Sequence, residues 1–481
     1  MPNYKPKVGL ITFGDERQYE WEKVFKNLTV PRHDSAIEYF SKLLIDLVVS
    51  ESVARTRAEI REQVDHLLAL KVDVLVAHVP CWTSPNLVVY GIQRLNLPTI
   101  LLSNKSSATH GTVGYLGAAG ALDQIGYSFI RVREDFENED AISKNTFPYI
   151  RAAFTVTRLR GMVFGMFGGR SLGIDTGTID PMQWRAMFGV DVEHIDQLEI
   201  IRRADLVLDQ PVEDTMKWLS ENVNRIDYDG NKLTPEKLAF QIRCYLATKE
   251  IIKEKELDFI AIKCMPDLST HYVPQCISAA FLPGPYDAQG SKEPVAMACE
   301  ADGDGALTME ILKQVSGGKP VLFGDLSYIN ESFSTIYIPN CGALCTWYAA
   351  RSDHPNENLK KIQLRPAVRP GGGAITYFTA APGPITLARL YRKAGKYFMA
   401  IISGEAIDLT PQDLNEFVQA RGAHQLPTAF IKVNANINEI LGTIGSNHIS
   451  GVAGFYINEI VHLCDLLGIE YKVFSDVGSQ D

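Results

Sequence analysis

The sequence predicts an α/β protein with two Rossmann-like parallel-sheet domains followed by an antiparallel β-barrel domain. Short, wholly apolar strand segments alternate with helical segments in the first third of the chain, and the same rhythm restarts near residue 161. Beyond about residue 351 the strands are short and divided by Gly and Pro, which is typical of antiparallel β structure. We therefore predict domains at 1–160, 161–350 and 351–481.

Composition restricts the function classes. The chain has 481 residues, 46% hydrophobic and 22% charged, as in ordinary globular proteins, and its net charge of −10 argues against a nucleic-acid or anionic-membrane surface. No apolar run approaches a membrane span, and the N-terminus lacks the apolar core of a signal peptide. The eight cysteines form no CxxC pair, and Cys341 with Cys345 suits two core thiols better than a zinc site. We expect a reduced, cytoplasmic protein.

The first domain shows a clear βα alternation. Apolar runs at 7–12, 72–80 and 96–103 predict buried strands, and helices are expected at about 35–50 and across the charged segment 54–71. The glycines of HGTVGYLGAAG (110–120) are not spaced as GxGxxG, so we interpret them as close helix packing and not as a nucleotide loop. Trp82 directly follows a strand, where it would be a partner-surface anchor, one wall of a sugar pocket, or a core residue.

The second domain contains the stretch around which the chain is organised. A strand at 162–169 is followed by a long helix at 232–257, with Thr234 and Pro235 at its start, and by a strand at 258–264. In the segment 294–330, one apolar run ends at Glu300 and another at Asp325. Two acids at neighbouring strand ends suit a divalent cation or acid/base chemistry. The alternative is that Glu300 only caps the helix beginning near Gly305 and that Asp325 caps a turn.

The last domain supplies the candidate imidazole. After the antiparallel segment, His448 follows Gly-Ser-Asn in a Gly-rich loop that we expect to open a helix, and a strand is predicted at 471–474. Two carboxylates and one imidazole with open positions suit Mn²⁺, Mg²⁺ or Co²⁺ better than a structural Zn²⁺.

Several segments in order resemble one family. These are VPCWTSPN, GGRSLGIDTGTIDPMQWRAMFGVDVEHID, ACEADGDGALTMEILKQVSGGKPVLFGD, PGGGAITYF, and GSNHISGVAGFYINEIVHLCDLLGIEYKVF. Together they resemble the L-fucose isomerase family, which is related to L-arabinose isomerases. The resemblance implies two Rossmann-like domains followed by a β-barrel domain, and an enzyme that interconverts aldoses and ketoses.

The resemblance also implies roles for individual residues. Glu300, Asp325 and His448 would bind a divalent metal, usually Mn²⁺, and Glu300 with Asp325 would form the acid/base pair. Asn447 would contact the substrate. Trp82 and Arg17 match a tryptophan and an arginine of the family that are thought to reach the active site of a neighbouring subunit, and the family assembles as homo-hexamers.

Departures from the family pattern leave the substrate open. Ala374 stands where the family often has a tyrosine, and Lys263 replaces a polar family residue. Together with Arg17 and Arg170, Lys263 would suit an anionic substituent such as a sulfonate, so sulfoquinovose joins L-fucose and D-arabinose as a candidate substrate. The alternative is that these are ordinary surface salt-bridge residues, and this interpretation is favoured for Arg170. A hydride shift remains open beside enediol proton transfer. The rival class is a non-catalytic sugar-binding protein with a metal-lined cleft.

Overall fold

The contacts within the chain divide it into two units. The computed structural model describes residues 4–50, 52–105, 108–331, 334–421 and 426–475. The first unit comprises residues up to 158 together with Val461–Leu466, and the second comprises Leu159–Ile460 and the residues after 466. None of the helices within the described ranges has the length and apolar character needed to span a bilayer.

The first unit is built on one five-stranded parallel sheet, with the order β2-β1-β3-β4-β5. Its strands are β1 (Lys7–Thr12), β2 (Asp46–Val49), β3 (Val74–His78), β4 (Thr99–Ser103) and β5 (Phe129–Arg133). Its helices are α1 (Gln18–Glu20), α2 (Lys26–Lys42), α3 (Arg57–Ala69), α4 (Pro85–Leu95), α5 (Gly111–Gln124) and α6 (Glu139–Leu159). Two separate apolar clusters pack on the sheet, as expected when both faces are covered by helices. The parallel sheet is confirmed, but the helix expected at 35–50 ends at Lys42, because the apolar DLVV segment forms the edge strand β2.

Three of the four glycines of HGTVGYLGAAG pack closely, as predicted, whereas a Cβ on Gly120 would meet nothing within 4 Å. A Cβ on Gly111 would lie 2.8 Å from the carbonyl oxygen of Pro80, and one on Gly114 would lie 2.9 Å from the backbone nitrogen of Thr83. A Cβ on Gly117 would lie 2.7 Å from the Pro85 ring. Only glycine lets α5 approach the segment after β3 this closely.

The second unit contains a parallel sheet, an antiparallel sheet and two small sheets. Its strands are β6 (Val163–Phe167), β7 (Asp191–Ile195), β8 (Arg225–Ile226), β9 (Phe259–Ile262), β10 (Tyr286–Asp287), β11 (Gly290–Ser291), β12 (Met297–Cys299), β13 (Val321–Asp325), β14 (Tyr328–Asn330), β15 (Thr335–Pro339), β16 (Gln363–Pro366), β17 (Ala374–Tyr377), β18 (Gly383–Lys393), β19 (Lys396–Ala406), β20 (Thr428–Val433), β21 (His448–Ala453) and β22 (Glu470–Phe474). The helices are α7 (Pro181–Met187), α8 (Leu198–Ala204), α9 (Asp209–Asn222), α10 (Pro235–Glu254), α11 (Asp267–His271), α12 (Cys276–Phe281), α13 (Gly303–Val315), α14 (Pro355–Leu359), α15 (Pro411–Arg421), α16 (Ile437–Thr443) and α17 (Ile457–Leu467), of which the segment Val461–Leu466 groups with the first unit.

The two large sheets of this unit differ in direction. The parallel sheet has the order β12-β9-β6-β7, and the antiparallel sheet has the order β13-β21-β18-β19-β20-β15-β14, with β22 added parallel to β19. The antiparallel sheet curls, since a Cβ on Gly324 of β13 would lie 2.7 Å from the carbonyl oxygen of Pro339 at the end of β15. The antiparallel structure therefore begins at β13, earlier in the chain than the predicted 351.

Asp325 was expected beside Glu300 in one parallel sheet, and this expectation is wrong. Glu300 follows β12 of the parallel sheet, whereas Asp325 ends β13, which pairs antiparallel with β21. An apolar run with a carboxylate at its end has the same pattern in both kinds of strand, so the sequence did not separate them. The two acids come from different sheets.

Helix α13 connects β12 to β13 and is central to the second unit. All thirteen of its residues are buried, and Asp302 caps its start by accepting a hydrogen bond from the backbone nitrogen of Gly305 at 2.9 Å. The cap is therefore Asp302 and not Glu300, so the alternative role considered for Glu300 is wrong. Glu300 is left available for other contacts.

Gly324→Ala should destabilise the second unit and disturb Asp325. The added Cβ would meet both Ile338 and the Pro339 backbone at 2.7 Å, and backbone cannot move aside cheaply. We expect a loss of about 1–3 kcal/mol in urea unfolding. Gly442→Ala is the control, because a Cβ there meets nothing within 4 Å. Equal unfolding midpoints for the two variants would contradict the prediction.

Candidate active site

Glu300 lies on a strained turn directly after β12. Glu300 and Ala301 have φ values of 59° and 53°, in the left-handed region that residues with side chains seldom adopt. The turn is fixed by a hydrogen bond from the Ala301 nitrogen to the Ile262 carbonyl oxygen of β9, at 3.0 Å. Such conformations cost of order 1–3 kcal/mol each and cluster at functional sites, where the surrounding structure holds them.

Asp325 and His448 face each other across the antiparallel pair β13 and β21, in direct register. His448 begins β21 and does not open a helix, which corrects the expectation from its Gly-rich surroundings. Its Nε2 lies 3.4 Å from a carboxylate oxygen of Asp325 and 3.4 Å from one of Glu300. The side chains expected to form the site therefore lie together, although their roles stay predictions.

The other ring nitrogen of His448 is held by a residue that the sequence interpretation missed. Nδ1 lies 2.7 Å from Oδ2 of Asp302, and both side chains are buried. The guanidinium of Arg389, on β18, contacts the same carboxylate at 2.5 Å and 3.0 Å. Asp302 is the first of the two acids in the ADGDG stretch, and the sequence interpretation gave it no role because it considered Glu300 as the helix cap.

These contacts set the charges. Burial alone would lower the pKa of His448, but hydrogen bonds to Asp302 and Glu300 outweigh it and raise the pKa to about 9. Burial alone would raise the pKa of Asp302, but the charge of Arg389 and the contact with His448 hold it below its ordinary value. The pKa values of His448 and Asp302 are thus shifted in opposite directions, because each side chain stabilises the charged form of the other.

A second buried acid lies behind this group. Asp304 accepts a hydrogen bond from the Tyr397 hydroxyl at 2.9 Å and lies 3.3 Å from Nε of Arg392. Burial raises the pKa of Asp304 to about 6, against the charges of Arg389 and Arg392. Asp304 is as buried as Asp302, but its hydrogen-bond partner is Tyr397 in place of His448.

Two more predicted residues of the second unit border or approach this group. The side-chain amide of Asn447 lies 3.5 Å from Asp325, and Asn447 is exposed, so it is available to a ligand. Lys263 follows β9, the strand paired with β12, and its ammonium lies 2.7 Å from the carboxylate of Asp267. The cation of Lys263 is thus at the same edge of the parallel sheet as Glu300 but already has an acidic neighbour.

Arg17 and Trp82 belong to the first unit. They follow the adjacent strands β1 and β3 at their carboxyl ends. Arg17 is half-exposed and pairs with the buried Asp15 at 2.6 Å. Trp82 is half-buried against a small cluster that includes Trp21 and Phe25. The expected reach of Arg17 and Trp82 into another subunit stays a prediction.

The donor atoms fit a divalent cation chemically. Two carboxylates and one imidazole nitrogen are ligands that Mn²⁺ and Mg²⁺ accept, and the contact of Nδ1 with Asp302 leaves Nε2 as the nitrogen facing the acids. In the described part of the chain, no group of three or more His, Cys, Asp and Glu side chains is already set at metal-ligand spacing. The case for a cation therefore depends on the chemical type of the donor atoms and on the orientation of the His448 ring, which Asp302 fixes.

Comparison with known proteins gives consistent matches. The model of the L-fucose isomerase first N-terminal domain matches residues 5–161, and that of the L-fucose isomerase C-terminal domain matches residues 338–475. A sulfoquinovose isomerase of Clostridium sp. (strain MSTE9) is 24% identical over 79% of this chain and 81% of its own length. A sulfoquinovose isomerase of Alkalicoccus urumqiensis is 24% identical over 71% and 74%, and an L-fucose isomerase of Haemophilus influenzae (strain PittEE) is 20% identical over 90% and 85%.

Proposed function

Because the chain belongs to the L-fucose isomerase family of sugar isomerases, we propose that it converts an aldose to a ketose by proton transfer between C1 and C2, assisted by a divalent cation. The observation that carries this proposal is the meeting of Glu300, Asp325 and His448 from three different strand ends. A binding protein needs sugar contacts, but it has no need for two ionisable acids beside a held imidazole.

Glu300, Asp325 and His448 are the proposed ligands of Mn²⁺, with Mg²⁺ or Co²⁺ as alternatives. When bound, the cation would make the C2 proton more acidic and stabilise the negative charge that develops on the sugar oxygens. The protein's own part is to keep the Nε2 of His448 turned toward the two acids. Asp302 does this from the opposite side of the ring.

The two carboxylates divide the proton transfers. Isomerisation moves a proton from C2 to C1 and another between O2 and O1, so both carbon and oxygen need a partner. We assign the carbon-bound proton to Glu300, whose side chain is 10% exposed, because a buried base exchanges its proton with water less readily. Asp325 is 36% exposed and beside Asn447, which suits the hydroxyl protons. Each positioned transfer contributes about 10²–10⁴-fold to the rate.

A trial of four sugars tests the proposal. Purified protein with Mn²⁺ is incubated separately with L-fucose, D-arabinose, L-arabinose and sulfoquinovose, and ketose formation is followed. We expect turnover of at least one of them. Failure with all four, under conditions where Mn²⁺ binding is measured directly, would contradict the proposed substrate range.

Lys263 should decide between neutral and anionic sugars. Lys263→Met removes a cation beside the edge of the sheet that carries Glu300, and a charge-assisted hydrogen bond is worth about 1.5–3 kcal/mol. For sulfoquinovose we expect kcat/KM to fall about tenfold or more, with L-fucose changed less than about twofold. Arg170→Met is the control, since Arg170 is exposed and paired with Asp175. An equal loss on both sugars would refute a role in substrate choice.

The assembly and its location are part of the same proposal. We expect a homo-hexamer in which Arg17 and Trp82 complete the site of a neighbouring subunit. Mixing an inactive Glu300→Gln protein with an inactive Trp82→Ala protein should then restore partial activity after subunit exchange. No recovery in exchanged oligomers would mean that Trp82 acts within its own chain. The eight thiols are all free, in keeping with the cytoplasmic location that we propose.

A further inference from the structure

Asp302 uses its two carboxylate oxygens for different partners. Oδ1 accepts from the backbone nitrogen of Gly305 at 2.9 Å and from Arg389 at 3.0 Å. Oδ2 faces Nδ1 of His448 at 2.7 Å and receives the other Arg389 nitrogen at 2.5 Å. A helix cap alone would need only the first oxygen, and Ser, Thr or Asn would serve. The second oxygen requires a carboxylate, because it accepts from two donors.

The residues around Asp302 leave room for its contacts with Arg389 and His448. Asp302 and Arg389 are both fully buried. A Cβ on Gly305 would lie 2.7 Å from Oδ2 of Asp302 and 2.8 Å from an Arg389 nitrogen, so only glycine fits between the helix start and the pair. The ring of Phe323 packs against His448 with centroids 4.8 Å apart, which restricts rotation of the imidazole. The imidazole is thus fixed by a ring on one side and a carboxylate at its edge.

We infer that Asp302, held by Arg389, is a positioning residue that keeps the proton of His448 on Nδ1 and presents Nε2 to a divalent cation between Glu300 and Asp325. This inference rests on the proposed function. Carboxylates that hold a metal-binding histidine in this way orient the ring and make the free nitrogen a better donor, and their removal typically costs 10–100-fold in metal affinity.

Asp302→Asn is the direct test. The amide keeps the shape and can still cap α13 through its oxygen, but then it turns a donor toward Nδ1 of His448. We expect the Mn²⁺ dissociation constant of the folded protein, measured by calorimetry without sugar, to rise about 10–100-fold. At saturating Mn²⁺, kcat should fall while KM for the sugar changes less than about twofold, since Asp302 is not placed to touch the sugar.

Asp304→Asn is the matched control. It removes an equally buried carboxylate two residues along the same helix, whose hydrogen-bond partner is Tyr397 and not His448. Its Mn²⁺ affinity should stay within about threefold of wild type, whatever its thermal stability. A loss of affinity equal to that of Asp302→Asn would show a general effect of charge and would overturn the positioning role.

Loss of Asp302 leaves Arg389 as an unpaired buried cation, which endangers folding. The double variant Asp302→Asn with Arg389→Met removes both charges and should show the same loss of Mn²⁺ affinity. The tautomer can also be measured in the wild-type protein, from the ¹⁵N spectrum of histidine-labelled protein with Mg²⁺. The His448→Gln variant is needed only to assign the His448 signals. We expect a protonated Nδ1 and an unprotonated Nε2 for His448, and the opposite tautomer would overturn the inference.

The outcomes separate this inference from the proposed function. Wild-type protein that binds none of Mn²⁺, Mg²⁺ or Co²⁺ would refute the cation on which both depend. Wild-type protein that binds Mn²⁺ and isomerises a sugar, with Asp302→Asn binding Mn²⁺ equally well, would refute the positioning role alone.

Discussion

Glu300→Gln is expected to lower turnover about 10³-fold or more while the protein stays folded. The change removes a base that would carry a proton between carbons, a contribution of about 10²–10⁴-fold, and it also removes one anionic ligand of the cation. Gln keeps the size of the side chain on the strained turn, so the hydrogen bond from Ala301 to β9 can persist. Ketose formation and thermal unfolding measured on the same preparation would check both parts.

Glu293→Gln is the matched control for this variant. Glu293 is exposed and lies just before β12, at the end of the strand opposite to Glu300. Its turnover should equal that of wild type. Turnover of Glu300→Gln within tenfold of wild type would mean that Glu300 neither transfers the proton nor binds an essential cation. Unchanged sugar affinity in Glu300→Gln, with no turnover even in wild type, would favour the binding-protein alternative.

Local patterns predicted β1, β3 and β4 of the first unit because these strands are short and almost wholly buried, whereas β5, with one buried residue in five, was not predicted. The four apolar residues at 74–77 and the buried His78 that follows them suit a sheet covered on both faces. The edge strand β2 was harder to predict, since all four of its residues are only partly buried. The segment that forms β2 therefore fell inside the helix expected at 35–50.

Local sequence patterns identified the side chains of the candidate site but not the strand pairing that brings them together. Acids at the ends of apolar runs pointed to Glu300 and Asp325, and a histidine between glycines pointed to His448. The direction of β13 was not available, because direction depends on its partner β21, more than a hundred residues away. Register between distant strands is a tertiary property, and it is register that places Asp325 opposite His448.

Asp302 was missed for a different reason. The sequence interpretation considered Glu300 as the cap of this helix, and an aspartate just before a helix is so common that Asp302 gave no cause to look for further partners. The second partners are Arg389 on β18 and His448 on β21, which are brought to it only by the curled sheet. Buried charges of this kind become visible only when their neighbours are known.

Removal of divalent cations is expected to have an effect as large as the loss of Glu300. Dialysis against EDTA should reduce turnover about 10²-fold or more, because the cation supplies several kcal/mol of stabilisation to developing charge. Addition of Mn²⁺ should restore it, with Mg²⁺ or Co²⁺ as weaker or equal substitutes. Restored activity should follow the occupancy measured by direct Mn²⁺ binding.

Thermal stability provides a second measure of cation binding. A cation that binds only the folded chain stabilises it by about 2.7 kcal/mol at a hundredfold excess over its dissociation constant, so the unfolding temperature should rise with Mn²⁺ concentration. His448→Gln should abolish this rise, since it removes the nitrogen that faces both carboxylates. Full isomerase activity after exhaustive chelation would contradict the cation-assisted mechanism. If Mn²⁺ still raised the unfolding temperature of His448→Gln, the cation would bind elsewhere in the protein. The variant lacks the imidazole nitrogen that Asp302 holds toward Glu300 and Asp325, so those two acids alone should not bind it.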